Sequence, residues 1–570
     1  MEQPISAFAV HTKRKKTDQL SNKKEKKQKT FDKERKEQAV KQASIKKKIE
    51  CKGVLSKSKL KIMKEKNKKK VNIHRKKVIE VVLAKSEKKE IESWKNILND
   101  INSSYFDTNS HDINHSLCAS IEINDSHRNP VEDFNQLFVW MIYPLTPNQF
   151  FGRGCWQIKS MYIKRDMCNF YKPLLSMSVF EETLRNNNVL FTKNLDITSY
   201  SNGVKEIHNP PGRAYASIVK DYFRNNCSVR MLNPQTFIPP ICALNANLQE
   251  IFGCFIGANI YLTPPNSQGF APHFDDVDVF ILQIEGKKRW KLYKPLKTSD
   301  ILAMYPSRDF DESELREPIL DKVISAGDFL YIPRGTIHQA MALDTYSLHL
   351  TISINQKNTW SNLLEKLLPQ ALKQATKKDF RFREGLPVNY LSYIGFQYTD
   401  KDLVRKERMK YIIRRMLGEL ERYFDIDQAA DLMAKKHIHD FLPPHIFKSE
   451  RRCTILEDGE NLSYNGPKRC GKIKLSTEIR LLRLYCMRLI KEKKAYKIYY
   501  STENSKEYHE YELQYLEIDK EFVPAIKQII DVFPDFISVK DLKIKDTDTK
   551  IQVVKDLWEK NIIITKVPLN

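Results

Sequence analysis

The sequence predicts a mainly β core, a cupin-like jelly roll (double-stranded β-helix), followed by an all-α region and a C-terminal winged-helix domain. Three observations support this fold class. Short strands separated by turn residues recur from about Asn135 to Asn355, as in antiparallel jelly rolls. After Trp360 the apolar residues recur at helical spacing instead. From about Ser449 onward helical segments and short strands alternate, and a chain of 570 residues is too long for one core.

The N-terminal part of the chain differs from the rest in charge. Residues 1–90 contain 31 Lys and Arg against 11 Asp and Glu, which leaves +5 of the net charge of +25 for the remainder. Basic runs such as 13–16 and 68–70 cannot be buried, so we expect disorder there. The predicted segments are a disordered Lys-rich arm (1–98), a flexible linker (99–134), the jelly-roll domain (135–360), a helical region (361–448) and the winged-helix domain (449–570).

Composition also bounds where the protein works. The basic arm favours nuclear or nucleolar import, or contacts with RNA or DNA phosphates; a solubilising tail is the alternative. Ten cysteines without a Cys-x-x-Cys pair argue against a zinc finger and against a secreted disulfide scaffold. The sequence shows no apolar leader and no apolar run near about 18 residues. We therefore expect a soluble intracellular protein without membrane contact.

Two apolar sets show the helical spacing of the region 361–448. They are Leu363, Leu364, Leu367 and Leu368, followed by Ile412, Ile413, Met416, Leu417, Leu420 and Phe424. A helix that is apolar over so much of its surface needs a partner. That partner is either a packing layer of the same chain or a second copy of it.

The C-terminal domain is predicted from shorter patterns. These predict a helix over 479–485, a hairpin over 499–508, helices over 526–533 and 553–558, a short helix from Val539 capped by Ser538, and a final Ile-Ile-Ile-Thr strand. Helices with a terminal hairpin are typical of a winged helix. The last helix mixes Lys555 and Lys560 with Asp556 and Glu559, so it offers no basic stripe to a duplex. We expect a protein-interaction or packing role instead.

Two short motifs in the jelly-roll segment carry metal-ligand chemistry. His273 and Asp275 follow a Pro-Pro-Asn turn in a segment that reads as a strand, where residues i and i+2 share a face. His338 follows a strand and a Pro-x-Gly turn, and opens the next strand. Two imidazoles and one carboxylate on one face form the facial triad of Fe(II) oxygenases. The alternative is that His-x-Asp is a chance tripeptide.

A buried cation is predicted beside these motifs. Lys288 has the same strand parity as Trp290 and Leu292, and an inward lysine is costly unless it meets an anion. If the register slips, Lys288 points to solvent instead. His349 and Ser353 lie on the same face of one predicted strand. We expect His349 to be buried in the core or to lie beside the metal ligands, rather than to be a fourth ligand.

Several stretches of this chain resemble the JmjC ribosomal oxygenases, most closely the nucleolar branch, which is described as both protein histidyl hydroxylases and histone lysine demethylases. The resemblance extends from about Phe138 to the C-terminus and leaves out the arm. The stretches that carry it are 259–276, 282–290, 331–339, 350–353, 358–360 and 500–509. It implies that residues 135–360 are the catalytic domain and that residues 361–448 mediate homodimerisation.

The resemblance also implies roles for individual residues. His273, Asp275 and His338 would be both catalytic residues and ligands of Fe(II), with 2-oxoglutarate and O2 as cosubstrates. Lys288 would hold the distal carboxylate of 2-oxoglutarate. The remaining matches are Asn259, Tyr261 and Ser353, which would line the cosubstrate and substrate pocket, and Arg230, which would contact the substrate. Satisfied polar groups of the core are the alternative for the three pocket residues.

Three functions are compatible with the sequence. The first is hydroxylation of a histidine in a ribosomal protein, which would link the chain to ribosome biogenesis. The second is demethylation of histone lysines, with a role in transcriptional repression. The third is a non-catalytic scaffold of chromatin or ribosome assembly, against which the triad and Lys288 argue. No cysteine-rich chromatin-reader module is present, which favours the first over the second, and the sequence leaves these two open.

Overall fold

The computed structural model describes residues 129–152, 154–354, 357–457, 461–463, 466–468, 471–507 and 512–569. The predicted arm (1–98) and most of the predicted linker lie outside the described residues. The predicted end of the linker at residue 134 is wrong, because a helix begins at Pro130. Asn129 caps it by accepting a hydrogen bond from the Val131 amide at 3.0 Å, and proline is favoured in a first turn.

The jelly-roll segment contains both strands and helices. The strands are β1 (Met161–Ile163), β2 (Leu195–Ser201), β3 (Val204–Ile207), β4 (Ser228–Leu232), β5 (Ile256–Thr263), β6 (Asp278–Tyr293), β7 (Leu320–Ser325), β8 (Phe329–Ile332) and β9 (Ile337–Ile354). The helices are α1 (Pro130–Ile142), α2 (Pro147–Gly152), α3 (Met177–Asn186), α4 (Ala216–Arg224) and α5 (Pro239–Phe252).

These strands form one antiparallel nine-stranded sheet in the described part of the chain, in the order β1-β8-β6-β9-β5-β4-β2-β3, with β7 also paired to β6. The long strand β6 bends where its register with β9 shifts, between Gln283 and Lys288. Gly286 is required at this bulge, because its φ is +68° and a Cβ would meet the Tyr346 carbonyl oxygen at 1.7 Å. Such bends let a sheet wrap around a core, and the predicted jelly roll is confirmed.

The helical region follows as predicted. It contains α6 (Trp360–Lys378), α7 (Leu403–Leu420) and α8 (Ile426–Asp440). Among the described residues, no helix has the length and apolarity needed to cross a membrane.

The C-terminal domain has two three-stranded sheets, ordered β16-β12-β17 and β13-β14-β15. Its elements are α9 (Lys448–Arg451), β10 (Asn461–Ser463), β11 (Gly466–Lys468), β12 (Glu478–Leu481), β13 (Met487–Glu492), β14 (Ala495–Tyr500), β15 (Tyr515–Ile518), α10 (Val523–Val532), β16 (Ile537–Ser538), α11 (Thr547–Glu559) and β17 (Ile563–Thr565). Helices α10 and α11 and the last strand are confirmed.

Three predictions in this domain are wrong. The segment 479–485 is the central strand β12 and a turn, not a helix. Because this strand is buried on both faces, its sequence lacks the alternation of apolar and polar residues that marks a strand. The described residues 499–507 form no hairpin of their own: they are the end of β14, which pairs with β13 and β15, and part of the connection that follows it. A short 3-10 helix does begin at Val539, but the predicted side-chain cap is wrong, because the Ser538 hydroxyl donates to the Leu475 carbonyl instead.

Candidate metal and cosubstrate site

The three predicted metal ligands meet in the structure. One ligand atom each from His273, Asp275 and His338 lies within 4.8 Å of the others. His338 Nε2 is 3.7 Å from Asp275 Oδ2. The two histidines face each other in an isolated antiparallel bridge. Two imidazoles and a carboxylate at this spacing form a donor set that suits Fe(II).

The placement of Asp275 corrects the prediction that it shares a strand with His273. Asp275 lies in an irregular segment before β6, which begins only at Asp278. Its carbonyl accepts a hydrogen bond from the Gly335 amide at 2.9 Å, so it is held by the turn before β9. Gly335 has φ +81°, and a Cβ there would lie 1.9 Å from the Asp300 carbonyl oxygen. The predicted turn therefore positions both Asp275 and His338.

Hydrogen bonds fix which nitrogen of each histidine can bind a metal. His273 Nδ1 lies 2.7 Å from the Ala271 carbonyl oxygen, and His338 Nδ1 lies 3.1 Å from that of Thr336. Since a carbonyl only accepts, Nδ1 carries the proton and Nε2 is left as the ligand atom. Burial, and then the neighbouring His273, lower the pKa of His338 to about 4, which keeps its imidazole neutral for coordination.

Lys288 points inward, as its parity predicts. It is 5% exposed, and its Nζ donates to Thr263 Oγ1 at 2.9 Å. No carboxylate within the described residues forms an ion pair with it. Burial alone lowers the pKa of Lys288 to about 7. A buried ammonium with one neutral partner is suited to bind a carboxylate. Thr263 was not predicted from the sequence, because it lies on β5 and no sequence pattern links it to Lys288 on β6.

The other predicted pocket residues lie on β4, β5 and β9. Tyr261 stands opposite Arg230 on one side and opposite His349 on the other. Burial raises the pKa of Tyr261, while the nearby Arg230 and Asn259 act to lower it. Ser353 is half-buried and pairs with Gly257 and Val279 in the ladder. The structure thus brings Arg230, Asn259 and Tyr261 together and places Ser353 further along β9.

Arg230 carries a partner that sequence reasoning missed. Its Nη2 lies 2.5 Å from Asp196 Oδ2 in a largely buried ion pair. Its guanidinium carbon is 5.3 Å from the ring of Phe270, and that ring is 6.3 Å from the His273 ring. Arg230 therefore lies close to the metal ligands, separated from them by one aromatic ring.

His349 is buried between aromatic rings. Its ring stacks on Tyr261 at 4.9 Å and meets the edge of Trp290 at 5.5 Å. Burial, and then Lys288, lower its pKa well below the ordinary value, so it is neutral. It is not in the cluster formed by His273, Asp275 and His338.

Two protein-family models match parts of this chain. The family model described as "JmjC domain" matches residues 230–363, and the model described as "Ribosomal oxygenase 1, C-terminal winged helix domain" matches residues 442–569. The second match confirms the winged-helix prediction.

Relatives match over most of the chain. The chain is 41% identical over 434 residues to "Bifunctional lysine-specific demethylase and histidyl-hydroxylase NO66" of Aedes aegypti, covering 75% of this chain and 67% of that protein. It is 40% identical over 445 residues to "Ribosomal oxygenase 1" of Danio rerio, covering 76% and 80%. The solved structure of YcfD, a ribosomal oxygenase from Escherichia coli, is 16% identical and has a TM-score of 0.41, covering 74% of this chain and 99% of that chain. This TM-score is too low to add to the family assignment. The chain belongs to the JmjC ribosomal oxygenase family.

Proposed function

We propose that this chain is an Fe(II)- and 2-oxoglutarate-dependent protein oxygenase. The observation that carries the proposal is the cluster of His273, Asp275 and His338, with a buried lysine nearby that has no carboxylate partner in the described part of the chain. The donor set fits Fe(II), and three ligands leave room for a chelating cosubstrate and O2. Iron(II) with bound 2-oxoglutarate and O2 supplies the oxidising power to place oxygen on an unactivated C–H bond of a substrate.

The residues of the chain then divide the work. The triad holds the metal, while Lys288 and Thr263 hold the distal carboxylate of 2-oxoglutarate. Tyr261, with Asn259 and Ser353, lines the cosubstrate and substrate pocket. The protein's contribution is position and the exclusion of water, because the difficult chemistry belongs to the metal and cosubstrate.

Hydroxylation of a protein histidine is the activity that Arg230 favours. A guanidinium has only donors and a permanent positive charge. It can donate to the acceptor nitrogen of a neutral imidazole, whereas a methylated lysine offers no acceptor. The relatives' names include both activities and a ribosomal oxygenase. We therefore place histidine hydroxylation of a ribosomal protein first, and histone lysine demethylation, with a role in repression, second.

Mass spectrometry separates the candidates. Histidine-containing ribosomal-protein peptides and methylated histone-tail peptides are incubated with the full chain, Fe(II) and 2-oxoglutarate. We expect a gain of one oxygen on histidine. Loss of a methyl group with no gain of oxygen would favour demethylation, and no change in any peptide would favour the scaffold function.

The helical region is proposed to form a homodimer. Helix α7 leaves large apolar side chains exposed, among them Ile412, Ile413 and Leu417, each more than half exposed. Exposed apolar area of this kind marks an interaction surface. Light scattering of the wild type and of an Ile413→Glu variant tests it: we expect a dimer and a monomer, respectively. A Lys410→Gln variant on the same helix, which lowers the net charge by the same one unit, is the control.

The cellular setting is proposed from the arm. Its lysine runs support nuclear, and within the nucleus nucleolar, accumulation, and contacts with RNA or DNA phosphates. Deletion of residues 1–90 is expected to impair nuclear accumulation and to leave the modification of a short peptide unchanged. Microscopy of tagged full-length and truncated chains measures the first, and mass spectrometry the second.

A further inference from the structure

A row of directly opposed side chains crosses the sheet beside the metal ligands. Asp196 on β2 stands opposite Arg230 on β4, Arg230 opposite Tyr261 on β5, and Tyr261 opposite His349 on β9. Side chains directly opposite each other in a ladder share a face of the sheet and interact. The row therefore connects Asp196, through Arg230, to Tyr261 of the proposed pocket.

Asp196 is itself held on two sides. Its Oδ2 accepts from Arg230 Nη2 at 2.5 Å, and its Oδ1 accepts from Asn209 Nδ2 at 2.8 Å. Asn209 in turn accepts from the Ile197 amide at 2.7 Å and donates to Thr192 Oγ1 at 3.2 Å. The carboxylate is 7% exposed and therefore cannot swing away to water.

We propose that Asp196 is a positioning residue for the substrate: it fixes the Arg230 guanidinium and cancels its charge. This rests on the proposed function, in which Arg230 contacts the substrate peptide. Asp196 itself touches Arg230 and Asn209, not the peptide. With its charge cancelled, Arg230 presents N–H donors rather than a net positive charge, so a basic ribosomal-protein segment meets no like-charge barrier.

Two further observations support this role. The Arg230 side chain is still 20% exposed after the pair with Asp196 is made, so part of it remains open to a peptide. Phe270 lies against the guanidinium, and Lys205 Nζ is 4.9 Å from the ring centroid. Lys205 pairs with Asp309 at 4.0 Å, so without Asp196 the Arg230 guanidinium would be left as an uncompensated cation beside this ring. A basic peptide would then be repelled.

A double-mutant cycle on the full chain tests the proposal. The variants are Asp196→Asn, Arg230→Met and the double variant. Asp321→Asn is the matched control, because Asp321 pairs with Arg289 across the same sheet, in an exposed pair whose nitrogen–oxygen distance is 2.6 Å. Kinetics use a histidine-containing ribosomal-protein peptide that the wild type hydroxylates. The peptide KM, kcat and the KM for 2-oxoglutarate are measured separately.

We expect Asp196→Asn to raise the peptide KM about tenfold or more, since small misplacements of a positioning group have effects of this size. The KM for 2-oxoglutarate should change less than about twofold. In the Arg230→Met background the Asp196 substitution should add nothing, since its role is exercised through Arg230. Asp321→Asn should match the wild type. Equal peptide KM in Asp196→Asn and wild type, or effects that add in the double variant, would overturn the proposal.

Failure of the proposed function gives a different result. If the wild type modifies no histidine-containing peptide, that function is wrong. The coupling of Asp196 to Arg230 is then measured by urea unfolding of the wild type, the two single variants and the double variant. Non-additive shifts in the unfolding midpoints would keep the claim that Asp196 fixes Arg230, and additive shifts would overturn it.

Discussion

Two cations on the same sheet, Lys288 and Arg230, have opposite surroundings. Lys288 is buried, donates to a hydroxyl and has no carboxylate partner among the described residues, while Arg230 makes a largely buried ion pair with Asp196. Burial without a counter-charge lowers the pKa of Lys288 to about 7. The difference separates two kinds of recognition. The lysine is prepared for a charged ligand, and the arginine for a ligand that needs donors but brings no negative charge.

The largest expected effect comes from the metal, which serves both halves of the site. Asp275→Ala or His338→Ala is expected to abolish 2-oxoglutarate turnover and peptide modification together, since each removes one of three ligands. The fold should stay cooperative, which circular dichroism during heating checks. Undiminished succinate formation by either variant would contradict the triad.

Removal of Lys288 should affect the cosubstrate alone. Lys288→Ala leaves the distal carboxylate buried without its counter-charge, at a cost on the order of 3–5 kcal/mol. The affinity for 2-oxoglutarate is thus expected to fall at least about a hundredfold. Lys288→Arg should recover part of it, because the longer planar fork directs its donors differently. Titration calorimetry measures the affinity, and an unchanged affinity in Lys288→Ala would mean that another group holds the carboxylate.

Removal of Arg230 should affect the peptide alone. Arg230→Met keeps much of the side-chain volume and loses the donors, so we expect the peptide KM to rise about tenfold or more, with an unchanged KM for 2-oxoglutarate. Steady-state kinetics with each substrate varied in turn measures both. A large rise in the KM for 2-oxoglutarate would show that Arg230 belongs to the cosubstrate side and would remove the contrast with Lys288.

The sequence predicted Lys288 and missed Asp196 for a physical reason. Lys288 lies on β6 beyond the bulge at Gly286, where regular alternation makes its direction readable from its neighbours. The partner of Arg230 lies 34 residues away on another strand, and such pairings depend on strand order, which the sequence pattern does not reveal. The strand β12 was missed for the same reason. It carries Arg480, whose buried charge pairs with Glu450, a residue of a distant segment.

Proton uptake on binding 2-oxoglutarate tests the contrast most directly. With a pKa of about 7, Lys288 is mostly neutral at about pH 8.5 and mostly protonated at about pH 6. A bound carboxylate favours the charged form and raises that pKa, so affinity should fall as pH rises above about 7. Calorimetry in buffers of different ionisation enthalpy should show close to one proton taken up at about pH 8.5 and close to none at about pH 6.

Lys288→Arg is the control for that measurement, because a guanidinium stays charged at both pH values. It should take up no proton at either pH, while Arg230→Met should behave as the wild type does. Proton uptake in the wild type that is absent at about pH 8.5, or that persists in Lys288→Arg, would contradict the claim that Lys288 is the unpaired cation that 2-oxoglutarate neutralises.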